Sequence, residues 1–328
     1  MSRTRRFRRR RRGSGAGPWG AAALSALAAA LAAPARHPAW GELGLYRYVD
    51  VARPQMAGAL LLLALCAGLL GARRGALAAG VAAVAASVGI WAAPTRDVPI
   101  IDGPRRAGDV RDAAACEPVR VATANLYQGN DREEEVWAAL SALAADLLAT
   151  SELPPEMAGL NARLSAAYPW KAVSPPSGAR SRRLALWSRL PMEAGDVIST
   201  GPHPYHVLAT PRTAAGTELR VMALHLGWPP FLLHRYGPTR SFARFDGLFD
   251  GPTVVMGDFN APPWSWAARR IAEGAGVSGP SGWRPTWPGA DAGAAGRWLG
   301  LPIDHVMASA DVELRGTRRF EVPGSDHM

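Results

Sequence analysis

Cysteine is scarce in this chain of 328 residues, which contains only Cys66 and Cys116. Cys66 lies in an apolar stretch and Cys116 in a polar segment well beyond it, so we expect no disulfide between them. Two cysteines are also too few for a zinc site built from clustered thiolates. The sequence therefore argues against a disulfide framework and against a cysteine-based zinc centre.

Excess positive charge is missing from most of the chain, although the formal net charge is +10. Eight arginines fall within the first twelve residues, whereas residues 117–328 contain 20 Lys+Arg and 21 Asp+Glu, a net charge of −1. Electrostatic capture of long DNA depends on many contacts between basic side chains and phosphates. The charge of the C-terminal two thirds does not favour that function.

Charged residues are absent from three long runs near the N-terminus, at about 15–35, 54–72 and 75–95. A membrane-spanning helix needs about 20 predominantly apolar residues. We therefore predict a basic cytoplasmic tail over 1–12 and a membrane region over 13–96 with three transmembrane helices. The first run is only moderately apolar and would also suit the core of a signal peptide.

The arginines around these runs predict an orientation. Segments rich in Lys and Arg stay in the cytoplasm, and the tail and the Arg73–Arg74 turn are the densest clusters. With three spans, the chain beyond residue 96 would lie outside the cytoplasm, although three arginines between 36 and 53 conflict with this orientation. We expect a multi-pass cell-membrane protein whose partner is the lipid bilayer, and we infer no obligate protein partner.

Residues 97–117 have the composition of a linker, and residues 118–328 alternate strand and helix patterns, as expected of an α/β domain. Predicted strands cover 119–125, 147–152, 183–188, 218–226, 303–308 and 312–322, with one more beginning at 253. Predicted helices cover 133–145, 154–167 and 265–273.

Polar side chains follow the predicted strands, and such strand ends are where sites form in α/β proteins. They are Asn125, Glu152, His225, Asp258 with Asn260, Asp304, and finally Asp326 with His327. Alternation along a strand places Asp258 and Asn260 on one face. The same pair could instead only cap the turn before Pro262–Pro263.

This set of residue types suits the hydrolysis of a phosphate ester. Glu152 and Asp326 could hold Mg²⁺ through oxygen atoms. A histidine backed by a carboxylate can deprotonate water, and an amide with a second histidine can donate hydrogen bonds to phosphoryl oxygens. Together these groups would support metal-assisted, in-line attack of water.

Six ordered motifs resemble those of the endonuclease/exonuclease/phosphatase superfamily, which includes deoxyribonuclease I. They are Asn125 after a strand, Glu152 after the next, Ala223-Leu224-His225, Gly257-Asp258-Phe259-Asn260, Ile303-Asp304-His305-Val306 and Gly324-Ser325-Asp326-His327. The resemblance implies a two-sheet α/β sandwich of the deoxyribonuclease I-like type over 118–328. It also implies a Mg²⁺ cofactor, with Mn²⁺ as an alternative, and a phosphate-ester substrate in a nucleic acid, a lipid head group or a sugar phosphate.

The resemblance also implies roles for the individual residues. Glu152 would be the main metal ligand, with Asn125 and Asp326 beside it. His327 would be the general base, oriented by Asp304. Asp258 and Asn260 would act on the phosphate and leaving group, and His225 would donate to the phosphoryl oxygens.

Two features depart from the family pattern. Residues 181–188 offer no acidic position, and only Met328 follows the Ser-Asp-His motif, where the family normally continues into a strand. Either the sequence is truncated, or one sheet lacks a strand and exposes an edge. These departures leave open a catalytically silent phosphate- or lipid-binding domain of the same fold.

Overall fold

A computed structural model describes residues 50–71, 73–91, 93, 95–97, 117–175, 183–193, 196–199, 205–227, 249–289, 293 and 299–328. The helices are α1 (Arg53–Leu69), α2 (Arg73–Trp91), α3 (Glu133–Ala142), α4 (Ala158–Ala167) and α5 (Trp266–Ala275). The strands are β1 (Thr95–Arg96), β2 (Val121–Asn125), β3 (Leu147–Ser151), β4 (Trp170–Val173), β5 (Ala185–Ser188), β6 (Asp196–Ser199), β7 (Tyr205–Ala209), β8 (Arg220–His225), β9 (Thr253–Asp258), β10 (Val277–Pro280) and β11 (Asp304–Ser309).

Two mixed sheets form a sandwich, as the family resemblance implies. One sheet has seven strands in the order β1-β10-β11-β9-β8-β7-β6, and the other has four in the order β2-β3-β5-β4. The inner layer joins Leu147 and Leu186 of the smaller sheet to Val221, Val254 and Met256 of the larger one. Burial of apolar area in this layer is the main stabilising contribution to the sandwich.

β9 is buried on both faces, which explains its continuous apolar sequence. Val254 and Met256 face the inner layer, whereas Val255 packs with Trp266 and Ile271 of α5 on the outer face. The Ser265 hydroxyl caps α5 at its start, and Gly276, in a left-handed conformation with φ 62°, follows its end. α3 and α4 cover the outer face of the smaller sheet.

The strand predicted over 312–322 is wrong, because the structure assigns no strand there. The segment carries Glu313, Arg315, Arg318 and Arg319, and its apolar residues Val312 and Leu314 pack only half-buried against the inner layer. It contributes Val322 to the core beneath α3 and α4 while its polar residues remain in water.

α1 and α2 pair along a contact of small side chains that includes Ala57, Ala82 and Ala86. They overlap the spans predicted at 54–72 and 75–95, but among the described helices none combines the length and apolarity that crossing a bilayer requires. α1 has 17 residues, or about 25 Å at 1.5 Å per residue, against a hydrocarbon layer of about 30 Å. The transmembrane interpretation of these two segments is therefore not supported. The tail over 1–12 and the run over 15–35 lie outside the described residues.

Both ends of this helical hairpin are fixed to the sandwich. At its start, the Asp50 carboxylate accepts hydrogen bonds from Arg53 Nε at 2.7 Å and from the Trp266 backbone N–H at 2.5 Å. At its end, Thr95 and Arg96, which the sequence places in the membrane region, form β1 and pair with β10. Of the predicted linker, residues 98–116 lie outside the described part of the chain.

Candidate active site

Polar residues from five strands meet at one edge of the sandwich. β8 and β9 are parallel, so their last residues, His225 and Asp258, are neighbours. β11 is antiparallel to β9, so its first residue, Asp304, lies opposite Asp258. β2 and β3 are parallel in the facing sheet, and Asn125 ends the first while Glu152 directly follows the second. The fold therefore brings together residues that are distant in sequence.

Gly257 permits the close approach of β8 and β9 beside the site. Its φ is 143°, a conformation that residues with a side chain rarely adopt. A Cβ at this position would lie 1.9 Å from the carbonyl oxygen of Leu224, which is an impossible contact. Glycine is thus required directly before Asp258.

Asp258 is 1% exposed and lies at the centre of the cluster. Asn125 Nδ2 donates to its Oδ2 at 2.9 Å, and the Asn260 backbone N–H donates to its Oδ1 at 2.7 Å. Burial, followed by repulsion from Asp304, raises the pKa of Asp258 to about 7 even though these hydrogen bonds oppose the shift. This carboxyl is therefore poised to exchange a proton near neutral pH.

His327 and Asp304 form a buried pair. His327 Nδ1 lies 2.8 Å from Asp304 Oδ2, so Nε2 is the ring nitrogen directed at the rest of the site. Nε2 lies 3.9 Å from both Asp258 Oδ2 and Asp326 Oδ1. Burial alone would lower the pKa of His327, but the charge and hydrogen bond of Asp304, reinforced by the other two carboxylates, raise it to about 10.

His225 links the two sheets. Its Nε2 lies 3.5 Å from Glu152 Oε1 and 3.6 Å from Asp258 Oδ2. Glu152 has a positive φ of 54°, and Tyr127 and Asn260 share this feature with φ values of 58° and 45°. Strained backbone of this kind persists where the surrounding structure enforces it, often at functional sites.

The two asparagines have contacts that the sequence did not predict. Asn125 Oδ1 accepts from the Tyr127 N–H at 2.9 Å while its nitrogen faces Asp258, so the amide orients the central carboxylate. Asn260 Nδ2 donates to the Leu226 carbonyl at 2.6 Å and fixes the end of β8. Metal ligation by Asn125 and phosphate contact by Asn260 stay predictions.

The C-terminal tail is held by hydrogen bonds and not by a further strand. Ser325 Oγ donates to the Asn125 carbonyl at 2.7 Å, and Asn130 Nδ2 donates to the Pro323 carbonyl at 2.8 Å. Backbone hydrogen bonds also join residues 326–328 to residues 286–289. The tail that carries His327 is therefore anchored on both sides.

Other residues near the site have structural roles. His305 Nε2 lies 2.8 Å from the Ala261 carbonyl and its ring packs edge-on against Phe259, so it turns away from the site, as alternation predicts. Burial lowers its pKa. In the segment without an acidic residue, the Trp187 indole donates to Thr150 Oγ1 in the core at 2.9 Å, so β5 supplies packing.

Sequence reasoning missed Thr286 and the contact that Trp287 makes with the site. Thr286 Oγ1 accepts from the backbone N–H of Asp304 at 3.1 Å, and Trp287 Nε1 donates to Asp326 Oδ2 at 3.1 Å. A Thr-Trp-Pro-Gly stretch signals a turn, but nothing in it indicates which carboxylates it will contact.

The donor set suits a divalent cation. Asp258, Asp304 and His327 each offer a ligand atom within 4.8 Å of the others. Asp304 Oδ1 is buried without a hydrogen-bond partner among the residues that the structure describes, and Glu152 and Asp326 add carboxylates next to the two histidines. This concentration of negative charge and oxygen donors is what Mg²⁺ or Mn²⁺ sites share.

Comparison with models of known protein families identifies one family. The model described as "Endonuclease/Exonuclease/phosphatase family" matches residues 122–327. A protein of that family from Leptotrichia buccalis is 13% identical with a TM-score of 0.50, over 64% of this chain and 97% of that chain. A second, from Beutenbergia cavernae, is 19% identical with a TM-score of 0.49, over 64% and 69%. The first of these likenesses, at 13% identity, bears on the fold alone. No curated protein matches the chain.

Proposed function

Because the chain belongs to the endonuclease/exonuclease/phosphatase family, we propose that it is a Mg²⁺-dependent hydrolase of phosphate esters, with Mn²⁺ as an effective substitute. Phosphate-ester hydrolysis is the activity of this family. The observation that carries the proposal is the buried pair of His327 and Asp304. Asp304 contacts Nδ1 of the histidine, so that Nε2 faces Asp258 and Asp326.

Glu152 and Asp326 are the residues that would hold the ion, with Asp258 and Asp304 close by. Once bound, such an ion polarises a phosphoryl oxygen and lowers the pKa of a coordinated water. Mg²⁺ suits a site with a few carboxylates, because it keeps several waters and takes further ligands from the substrate phosphate.

His327 is the proposed general base. Asp304 occupies Nδ1, so Nε2 is the atom that accepts a proton from the attacking water. With a pKa of about 10, Nε2 is protonated at neutral pH in the metal-free protein. A cation held by Glu152 and Asp326 would offset the surrounding carboxylates and would lower this pKa, which would free Nε2 to act as a base.

Asp258 and His225 act on the phosphate in this proposal. A carboxyl with a pKa of about 7 can supply a proton to the leaving oxygen when it is neutral and take one up when it is charged. His225 Nε2, between Glu152 and Asp258, is placed to donate to a phosphoryl oxygen as negative charge develops.

We also propose that α1 and α2 attach the enzyme to a lipid surface. Leucines on this hairpin are exposed to a degree unusual for a folded domain, with Leu62 62%, Leu69 80% and Leu70 85% exposed. Residues 51–96 contain no acidic side chain, and Arg73–Arg74 at the turn would favour anionic lipid. An extracytoplasmic location stays a prediction from the sequence, and it depends on the three spans assumed there.

This attachment and the charge of the catalytic part favour a small or lipid-borne phosphate ester over long nucleic acid. Residues 117–328 have a net charge of −1, which gives little attraction for a polyanion. A substrate panel with a short oligonucleotide, a sugar phosphate and a phospholipid in vesicles would decide between these classes.

Hydrolysis of bis(4-nitrophenyl) phosphate by the full chain tests the enzyme proposal. Release of 4-nitrophenol should require Mg²⁺ or Mn²⁺, cease in EDTA, and fall at least about 100-fold in Asp258→Asn and His327→Ala. Asp311→Asn, at an exposed position beyond the other end of β11, is the matched control. Equal rates in the site variants and wild type would contradict the proposal.

Flotation with vesicles tests the attachment. The full chain should float with phosphatidylcholine vesicles that contain phosphatidylglycerol, and Leu62→Asp with Leu69→Asp should prevent flotation without loss of hydrolysis. Flotation that is unchanged in this double variant would exclude the hairpin as the lipid-binding surface.

A further inference from the structure

Residues 285–289, with the sequence Pro-Thr-Trp-Pro-Gly, lie between the start of β11 and the C-terminal tail. We call this segment the 285–289 strap. It contacts the start of β11, which carries Asp304, and the C-terminal tail, which carries Asp326. None of its side chains belongs to the cluster itself.

The strap reaches Asp304 through Thr286, whose side chain is buried. Thr286 Oγ1 accepts hydrogen bonds from the backbone N–H groups of Ile303 and Asp304, both at 3.1 Å. These amides lie at the point where β11 begins, directly before the side chain that supports His327. The hydroxyl therefore fixes the backbone from which the Asp304 carboxylate extends.

The strap reaches Asp326 through Trp287. The indole Nε1–H donates to Asp326 Oδ2 at 3.1 Å, which leaves Oδ1 on the side of His327. An indole N–H can only donate, so it pairs with this carboxylate oxygen as the acceptor. This matters because the Asp326 side chain is 48% exposed and could otherwise sample several rotamers.

Gly289 completes the contact between strap and tail. Its N–H donates to the Asp326 carbonyl at 2.6 Å. A Cβ at this position would lie 3.1 Å from the carbonyl oxygens of Asp326 and His327, closer than nearly all such contacts. The tail is therefore seated directly on the strap.

We propose that Thr286 and Trp287 are positioning residues that act through different carboxylates. Thr286 holds Asp304 behind the water-activating histidine, so its effect falls on the chemical step. Trp287 holds Asp326 in the orientation that binds the cation, so its effect falls on metal affinity. The inference rests on the proposed function, because it assigns Asp304 and Asp326 the roles described above.

Four variants of the full chain separate this pair of roles from simple packing. Thr286→Val keeps the shape of the side chain and removes its hydroxyl, and Thr286→Ser restores the hydroxyl. Trp287→Phe keeps an aromatic ring and removes the N–H. Trp137→Phe, on the outer helix α3, is the control for a tryptophan that only packs.

Two measurements are made on each variant. The first is kcat for bis(4-nitrophenyl) phosphate at saturating Mn²⁺, and the second is the Kd of Mn²⁺ from calorimetry without substrate. Loss of a group that orients a functional ligand typically costs 10- to 100-fold. Thr286→Val should therefore lower kcat at least about tenfold with an unchanged Mn²⁺ Kd, and Thr286→Ser should restore kcat.

Trp287→Phe should show the opposite pattern, with the Mn²⁺ Kd raised about tenfold and kcat at saturation close to that of wild type. An unchanged Mn²⁺ Kd in Trp287→Phe overturns the proposal, as does a loss of kcat in Thr286→Val that Thr286→Ser does not reverse. If Thr286→Val does not fold, the calorimetry of Trp287→Phe decides alone.

Failure of the proposed function would look different. A wild-type chain that binds Mn²⁺ but never hydrolyses the ester contradicts the assignment as a hydrolase. In that case the calorimetric comparison of Trp287→Phe with Trp137→Phe still decides whether Trp287 orients Asp326.

Discussion

Replacing Asp304 with asparagine tests the electrostatic basis of the site. In the wild-type chain the pKa of His327 rises from 6.5 to about 10. A shift of this size corresponds to about 5 kcal/mol in favour of the protonated ring, at about 1.4 kcal/mol per pKa unit. Asp304 makes the largest contribution that raises this pKa, and it acts against the opposing effect of burial.

The expected change in Asp304→Asn follows from charge and not from shape. Asparagine can still accept from Nδ1–H, but a charge-assisted hydrogen bond contributes about 1 kcal/mol more than a neutral one. A unit charge about 4 Å away adds up to about 4 kcal/mol at an effective dielectric constant of 20. The pKa of His327 should therefore fall by about one to three units.

NMR titration of the His327 ring in the metal-free protein measures this shift directly. Because the folded-state pKa is raised, the pair stabilises the folded chain fully below pH 6.5, and this contribution is lost as the pH rises towards 10. The wild-type stability advantage over Asp304→Asn should decrease over the same range. kcat should fall by about 10²–10⁴-fold, because the imidazolium formed during proton abstraction loses its counter-charge.

Asp311→Asn serves as the control, since it removes an exposed carboxylate just beyond the same strand. A His327 pKa that stays near 10 in Asp304→Asn, together with kcat within twofold of wild type, would refute this explanation of the site.

Three further variants test the fold around the site. Gly257→Ala should prevent folding or lower stability by more than about 4 kcal/mol, because the alanine Cβ would lie 1.9 Å from the Leu224 carbonyl oxygen. A soluble variant with a wild-type melting temperature would contradict this expectation. Arg53→Ala should cost about 3–5 kcal/mol in urea unfolding, since it removes the ion-pair partner of the buried Asp50 carboxylate and leaves only the weaker influence of Arg269. A loss below about 1 kcal/mol would argue against the pair as an anchor. His206→Gln should abolish an acid-dependent loss of stability. Burial lowers the pKa of His206 to about 4, so between pH 6.5 and pH 4 the unfolded chain binds this proton and the folded chain does not. Over that pH range the wild type should lose on the order of 3 kcal/mol of stability relative to the variant.

The membership of the cluster could be predicted because its signals are local, whereas the two-sheet sandwich was implied by the family resemblance. β9 shows a continuous buried run, and each polar strand end follows an apolar segment. Parallel and antiparallel pairing then places His225, Asp258 and Asp304 side by side. The residue types therefore carried enough information to predict a common site.

Other features depend on contacts that no local pattern encodes. The role of Thr286 arises from a segment that folds back to the start of β11, about seventeen residues later. The strand predicted over 312–322 failed because apolar residues there pack singly against the core without a partner strand. The hairpin over α1 and α2 has the apolar composition expected of a membrane segment, yet its ends are fixed to the sandwich by Asp50 and by β1.

Diffraction at the manganese edge from crystals of the protein soaked in Mn²⁺ tests the central claim most directly. We expect an anomalous peak about 2.0–2.2 Å from a carboxylate oxygen of Glu152 or Asp326, within the cluster that includes Asp258 and His327. No peak among these residues at saturating Mn²⁺, or a peak only elsewhere on the molecule, would contradict the assignment of a metal-dependent active site.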